Sequence, residues 1–192
     1  MSAPPRHRSD PGGSLRARYA AAPEFEDMLA SAQKNVELWT ALWRHARVDD
    51  DYVRRASSLS GNWHLLVLSE EWCGDAVNTV PVVARLAERC PNVDLRVLAR
   101  DANPDIMDAH LTDRSRSIPV IIVLDEAYEE RGWWGPRPTA LQRWVSAQGQ
   151  LLEKTTRYRE ARTWYARDRG RTTLEEVVSM LERAAAAPAG TS

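Results

Sequence analysis

Residues 65–76 read LLVLSEEWCGDA, and they contain the transition that decides the fold, from an apolar run to the start of a helix. The continuous apolar run over 65–68 predicts a strand that is buried on both faces. From Asp75 to Arg89, apolar residues recur at helical spacing, which predicts a helix that begins beside Cys73. The unpaired N–H groups and the positive dipole end of such a helix favour a thiolate over a thiol. Cys73 is therefore the candidate reactive residue, and we expect its pKa to be lowered.

Composition limits the functions open to this chain. With 192 residues, of which 43% are hydrophobic, the chain can bury the core of one domain. The net charge of −1 gives no bulk electrostatic reason to bind nucleic acid or an anionic membrane, so we expect neither partner. Cys73 and Cys90 are the only cysteines, too few for a disulfide framework or a four-cysteine zinc site, and we expect no metal.

The sequence also indicates the cellular compartment of the protein. The first residues lack the apolar core of a signal peptide, and no apolar run approaches the roughly 20 residues of a membrane span. A chain without a disulfide framework also fits a reducing compartment. We therefore expect a cytoplasmic protein with no membrane association.

Helices are predicted ahead of the first strand. Residues 1–20 are rich in Pro, Gly, Ser and Arg, and we expect a mobile, disordered tail there. An i, i+3, i+4, i+7 pattern predicts one long amphipathic helix over 25–46, and a short helix is predicted over 50–59. Residues 21–60 would thus form a helical extension of a single domain that spans 21–187.

The central region alternates strands and helices. Strands are predicted over 63–69, 93–98, 119–124 and 130–134, with helices over 75–89 and 104–111. The first two strands should be parallel because a helix connects them, and a hairpin turn joins the last two. Further helices over 138–187, broken near Gly149 and Gly170, are predicted before a frayed tail at 188–192. The fold class is therefore α/β, with a mixed sheet of about four strands and helices added at both ends.

This order of elements resembles the thioredoxin fold. Trp72 and Cys73 match the Trp and the nucleophilic Cys of its WCGPC motif, and Pro81 matches the helix proline eight positions beyond the cysteine. Ile118-Pro119 falls where thioredoxins carry a cis-proline that faces the cysteine. The resemblance implies a thioredoxin-like three-layer α/β/α architecture.

Four longer motifs are similar to those of a bacterial family of thioredoxin-like proteins. They are EEWCGDA at 70–76, ARDANP at 99–104, SIPV at 117–120 and WGPRP at 134–138. This resemblance covers roughly residues 24–185. It implies a substrate-binding face around Cys73 that consists of Trp72, Gly74, Asp75, Ile118 and Pro119, with the backbone of Ile118 free to pair with an extended substrate. The position of WGPRP relative to this face stays open.

Two positions depart from thioredoxin. Ala76 stands where thioredoxin has its second, resolving cysteine, and Val67 stands where it has a buried carboxylate that helps to deprotonate that cysteine. An intramolecular CxxC disulfide is therefore impossible. Cys90 lies beyond Cys73 by roughly 25 Å of helix at 1.5 Å per residue, whereas a disulfide needs Cα atoms within about 7 Å. We expect Cys90 to be a small, buried apolar residue at the helix end.

Charged residues near Cys73 have two interpretations each. Asp75 would raise the pKa of the thiol, or it is a helix-start residue that interacts with the dipole. Arg100, Arg116 and Arg137 lie in or beside the family motifs, and any that converge on Cys73 would offset Asp75. Otherwise they are structural ion-pair partners of Asp101 or of other neighbours.

The sequence supports two functions. In the first, the protein is a monothiol thiol-disulfide oxidoreductase: Cys73 attacks a protein or small-molecule disulfide, and an external low-molecular-weight thiol resolves the product. No cofactor besides that thiol is expected. In the second, the protein is a redox-inactive thioredoxin-fold binding module, whose groove around Trp72, Pro119 and Trp134 takes a peptide or protein partner.

Overall fold

The computed structural model describes residues 14–187. Residues 1–13 of the tail predicted over 1–20, and the whole tail predicted over 188–192, therefore lie outside the described residues. A sheet of four strands lies at its centre: β1 Trp63–Ser69, β2 Val93–Ala99, β3 Val120–Leu124 and β4 Glu130–Trp134. The strand order is β2-β1-β3-β4. β2 runs parallel to β1, whereas β3 is antiparallel to both β1 and β4. The predicted mixed sheet is confirmed.

Helices flank this sheet in the described part of the chain. They are α1 Leu15–Ala21, α2 Phe25–Ser31, α3 Val36–His45, α4 Asp50–Ser57, α5 Gly74–Arg89, α6 Pro104–Ala109, α7 Thr139–Ala147, α8 Lys154–Asp168 and α9 Arg171–Ala186. Short 3₁₀ turns span Arg100–Ala102 and Gly149–Leu151. Within residues 14–187, no helix combines the length and the apolar character that crossing a membrane requires.

The two interior strands fix the position of the cysteine turn. Every side chain of β1 and β3 is buried except that of His64, which is half-buried. In the register of the sheet, Val67 of β1 lies between Val97 of β2 and Ile121 of β3. α5 begins directly after the turn that follows β1, and it packs against β2, α3 and α9. Cys73 therefore joins two elements that are both held in the core.

The first helix lies where composition predicts a mobile tail, so that prediction is wrong for residues 15–20. Ser14 caps α1 by accepting a backbone N–H at 3.3 Å. Tyr19 is only 3% exposed. Its ring centroid lies 5.1 Å from that of His64 and 5.5 Å from that of Tyr128. One buried aromatic side chain anchors α1, and the average composition of residues 1–20, rich in Pro, Gly, Ser and Arg, conceals it.

The single helix predicted over 25–46 is also wrong, because the structure contains two helices, α2 and α3, with a break between them. Asn35, just before α3, has a left-handed backbone with φ 55°. A carboxylate oxygen of Glu71 accepts the backbone N–H groups of Gln33 and Lys34, at 2.9 and 3.0 Å. These N–H groups would otherwise continue the helical ladder. A contact from the cysteine turn therefore ends α2, and the apolar periodicity of the two helices conceals the break.

Replacing Glu71 tests this contact. Its backbone carbonyl also accepts the indole N–H of Trp39, at 3.0 Å, and that bond survives any substitution. We expect Glu71→Ala to lower the free energy of unfolding by about 1–2 kcal/mol, because two backbone donors lose a charged acceptor. Glu71→Gln keeps an acceptor oxygen and should lose less than half as much. Urea denaturation of the three proteins measures the difference, and equal losses for Ala and Gln would contradict this role of the side chain.

Candidate active site

Cys73 occupies the N-cap position of α5. Its Sγ accepts the backbone N–H of Ala76 at 3.4 Å, and its S–H donates to the carbonyl oxygen of Ile118 at 3.3 Å. The residue is only 7% exposed. The thiol is thus held between the first turn of α5 and the chain segment that enters β3.

The turn opposite the thiol carries Ile118 and Pro119, and the peptide bond between them is cis. The resemblance to thioredoxin predicted that the backbone of Ile118 would be free to pair with a substrate. For its carbonyl oxygen that prediction is wrong in this state, because the oxygen accepts the Cys73 S–H. A substrate that donates a hydrogen bond to this carbonyl oxygen must first displace the S–H of Cys73 from it.

The WGPRP motif lies against the same turn, which settles a placement that the sequence left open. β4 ends at Trp134, whose indole N–H donates to Glu176 at 2.7 Å. Gly135 follows with φ +138°, and a Cβ built on it would lie 2.1 Å from the carbonyl oxygen of Pro119. Only glycine fits this approach, because any other residue would clash with backbone. The loop after β4 therefore forms one wall of the site.

Asp75 is the centre of a buried polar cluster beside the thiol. Its carboxylate pairs with the guanidinium of Arg137 at 2.6 Å and accepts the hydroxyl of Tyr165 at 2.9 Å. The Asp75 side chain is 14% exposed and that of Arg137 is 20% exposed. Arg137 also donates to the side-chain oxygen of Gln142 at 2.9 Å. The first turn of α5 is thereby tied to the loop after β4 and to α8.

The pKa values in this cluster follow from burial. Burial raises the pKa of the Asp75 carboxyl, although Arg137 and the Tyr165 hydroxyl oppose the shift. Burial, reinforced by the charge of Asp75, raises the pKa of Tyr165 well above its usual value. The Tyr165 hydroxyl therefore keeps its proton and acts as a donor to Asp75.

The pKa of Cys73 differs from the sequence-based expectation. Burial raises the pKa of the thiol to about 11, and the negative charge of Asp75 acts in the same direction. The N–H of Ala76 and the charge of Arg137 lower the pKa, but they do not outweigh burial. The expectation of a lowered pKa is therefore wrong for this conformation, because removing the sulfur from water opposes its charged form more than the helix terminus favours it.

The other predicted site residues lie at the rim. Trp72 is 45% exposed, and the guanidinium of Arg100 lies 5.0 Å from its ring centroid. Arg100 pairs with Asp101 at 2.7 Å, and Arg116 pairs with Asp108 at 2.6 Å. These two arginines have the ion-pair partners that the structural interpretation predicts. Of the three motif arginines, Arg137 is the one that the structure brings to Asp75.

Gly74 and Cys90 complete the predicted residues. A Cβ on Gly74, the exposed first residue of α5, would meet no atom within 4 Å, so space does not require glycine there. Cys90 is 2% exposed at the opposite end of α5, and both cysteines are free. The prediction that Cys90 is buried is confirmed.

Among the described residues, no group of three or more His, Cys, Asp or Glu side chains is arranged to hold a metal ion.

Sequence reasoning missed Tyr165. The contact between Tyr165 and Asp75 spans 90 positions of the chain. No local pattern marks such a contact. The only available signal at this site was that Asp75 and Arg137 both lie in family motifs, and the sequence predicted only that a motif arginine near Cys73 would offset Asp75.

Comparisons with known proteins agree with this fold. A thioredoxin family model matches residues 22–158, and the chain belongs to this thioredoxin family. A solved protein of unknown function from Pseudomonas aeruginosa, PA1234, is similar, with a TM-score of 0.71, 18% identity and coverage of 88% of this chain and 98% of the other. An HIV epitope scaffold has a TM-score of 0.69 and 16% identity, again over 88% of this chain and 98% of its own. No curated protein sequence matches. The predicted thioredoxin-like α/β fold is confirmed.

The raised pKa of Cys73 predicts how its alkylation depends on pH. In a Cys90→Ser background, the rate with iodoacetamide should rise about tenfold per pH unit from pH 7, because only the thiolate reacts, and it should level off near pH 11. Mass spectrometry of the modified protein measures the rate. A plateau below pH 8 would show that the thiol is far more acidic than its surroundings indicate.

The charge of Asp75 should contribute to that profile. Asp75→Asn removes a negative charge near the sulfur but keeps an oxygen for the Tyr165 hydroxyl. We expect alkylation of Cys73 at pH 8 to become about tenfold faster, the effect of one pKa unit. Asp108→Asn, which removes an ion-paired carboxylate at the surface, is the matched control and should change nothing. An equal response of the two variants would contradict a local effect of Asp75.

Proposed function

We propose that the protein catalyses thiol-disulfide exchange as a monothiol oxidoreductase with Cys73 as its nucleophile. The observation that carries this proposal is the position of Sγ, which accepts an N–H of the first turn of α5 while it faces the cis peptide bond before Pro119. That N–H can stabilise sulfur when it carries negative charge, either as it attacks or as it leaves. An exposed indole, that of Trp72, lies next to it in the chain.

The proposed reaction has two balanced steps. Cys73 thiolate attacks one sulfur of a mixed disulfide between a protein and a small thiol, forms a new disulfide with the small moiety, and releases the protein thiolate. A second small thiolate then attacks that moiety, forms the small-molecule disulfide, and regenerates the Cys73 thiolate. Overall the protein sulfur is reduced to a thiolate, and one free small thiol is oxidised as it joins the small moiety of the substrate in a small-molecule disulfide. A reducing compartment such as the cytoplasm supplies this co-reactant.

The resolving thiol must come from outside the chain. Ala76 offers no sulfur, and Cys90 lies at the other end of a helix of 16 residues. Because Cys73 and Cys90 flank this helix, a rise of 1.5 Å per residue places their Cα atoms about 25 Å apart along its axis. An intramolecular disulfide would require α5 to unfold.

The raised pKa of Cys73 determines the expected kinetics. At neutral pH the thiol keeps its proton, so attack should be slow and should accelerate as the pH rises. The same pKa makes Cys73 a poor leaving group in the second step. The first effect slows formation of the mixed disulfide at Cys73, and the second slows its resolution, so a mixed disulfide that has formed should persist when small thiols are scarce.

One observation favours the second candidate function, a redox-inactive binding module. The S–H of Cys73 donates a hydrogen bond to the carbonyl oxygen of Ile118, so both groups have a partner without any substrate. In that case the partner would be a peptide or protein that binds over Trp72 and the Pro119 turn. Trp134 contributes little exposed surface there, because it is 8% exposed and bound to Glu176.

Disulfide exchange by cysteine variants separates the two functions. A fluorescent peptide that carries a glutathione mixed disulfide is incubated with excess glutathione and each protein. We expect the wild type and Cys90→Ser to accelerate peptide release equally, more strongly at pH 9 than at pH 7, and Cys73→Ser to have no effect.

Acceleration that survives Cys73→Ser would overturn the role of this residue. A wild-type rate equal to the uncatalysed rate at both pH values would reject exchange and leave the binding module as the function. Partner capture would then be unchanged in Cys73→Ser.

A further inference from the structure

A cavity lies beside α5, on the side where Tyr165 donates to Asp75. It has a volume of about 970 Å³ and opens between α3 and α8. Its apolar part is formed by Leu42 of α3, Pro81 and Val82 of α5, and Leu174 of α9. The volume falls at the upper end of the range of small-molecule sites, roughly 300–1,000 Å³. We refer to this cavity as the α3–α8 groove.

Cationic side chains dominate the rest of this groove. Among the described residues that line it are five arginines and a single carboxylate, that of Asp49; the arginines are Arg47, Arg162, Arg167, Arg169 and Arg171. Within residues 14–187, the side chains of Arg162, Arg167 and Arg169 make no hydrogen bond, ion pair or ring contact. Other arginines of the protein, such as Arg55 and Arg89, have carboxylate partners. Three of the five groove arginines, Arg162, Arg167 and Arg169, therefore have no carboxylate partner among residues 14–187.

The arrangement on α8 places these charges over the apolar surface. Arg162, Tyr165, Ala166 and Arg169 follow the i, i+3, i+4, i+7 spacing of one helix face, and all four line the groove. Arg169 is the C-cap residue of α8. A molecule lying on Val82 would thus have guanidinium groups beside it. Guanidinium groups bind carboxylate, sulfonate or phosphate oxygens in a bidentate manner.

We propose that the α3–α8 groove binds a small amphipathic organic anion. Its aromatic or hydrocarbon body packs on Leu42, Pro81 and Val82, and its acidic group binds the arginines of α8. The uncompensated positive charge raises the local concentration of anions and so favours this ligand over a neutral one. Because Tyr165 lines the groove and donates to Asp75, the bound molecule contacts a residue that holds the carboxylate beside Cys73.

Two fluorescent probes of the same shape test the proposal. Anilinonaphthalene sulfonate carries an aromatic body and one negative charge, and phenylnaphthylamine is its uncharged analogue. We expect the sulfonate to bind the full chain with one saturable site, at least tenfold more tightly than the neutral probe. Equal affinities for the two probes would overturn the role of the arginines.

Charge variants assign the site. The double substitution Arg162→Ala with Arg169→Ala should weaken binding of the sulfonate probe by about tenfold or more and leave binding of the neutral probe unchanged. The matched control is Arg143→Ala with Arg183→Ala, which removes two exposed arginines outside the groove. An equal loss of affinity in both double variants would show a general effect of net charge and overturn the proposal.

A steric variant tests the location independently of charge. Ala166 is exposed on α8 and lines the groove, so Ala166→Trp should fill the space without burying a polar group. We expect it to abolish saturable binding of both probes, while circular dichroism shows an intact fold. Unchanged binding of the sulfonate probe in this variant would place the probe elsewhere and reject the groove as its site.

Discussion

The ion pair between Asp75 and Arg137 is the contact on which the candidate active site depends. A carboxylate in the first turn of α5 is largely removed from water, and an unpaired charge in such a place would cost several kcal/mol. Arg137 supplies the opposite charge at 2.6 Å, and Tyr165 supplies a hydroxyl at 2.9 Å. The loop after β4 and the helix α8 are thereby both held against α5. The close approach of Gly135 to Pro119 brings that loop to the turn facing Cys73.

This arrangement explains why Cys73 is a different kind of thiol from one at an open helix end. A helix N-terminus stabilises a thiolate, and the N–H of Ala76 is directed at the sulfur as that argument requires. Burial and the charge of Asp75 both destabilise the thiolate, and together they outweigh the stabilisation by the helix N-terminus. The pKa of Cys73 is therefore raised to about 11. The sulfur is placed for nucleophilic chemistry but is kept protonated by its surroundings. In the proposed function, exchange at this site would require loss of that proton.

The sequence predicted what depends on local pattern and missed what depends on distant contacts. The buried run of β1, the helix that follows Cys73 and the β-branched β3 all lie where periodicity places them. The break before α3 was missed because a carboxylate from the cysteine turn, Glu71, creates it. α1 was missed because one side chain, Tyr19, anchors it. The prediction of a lowered pKa for Cys73 was wrong because burial of the sulfur depends on tertiary packing. The position of a residue at a helix N-terminus does not reveal that burial.

The central claim is that Cys73 acts as a single thiol that forms a mixed disulfide and needs an external partner. Mass spectrometry of the protein isolated from cells in which free thiols are trapped at lysis tests this claim most directly. The account predicts a fraction of molecules in which Cys73 carries a small thiol or a protein in disulfide linkage, while Cys90 is unmodified. Cys73 recovered only as the free thiol, even after the cells are exposed to an oxidant, would contradict it.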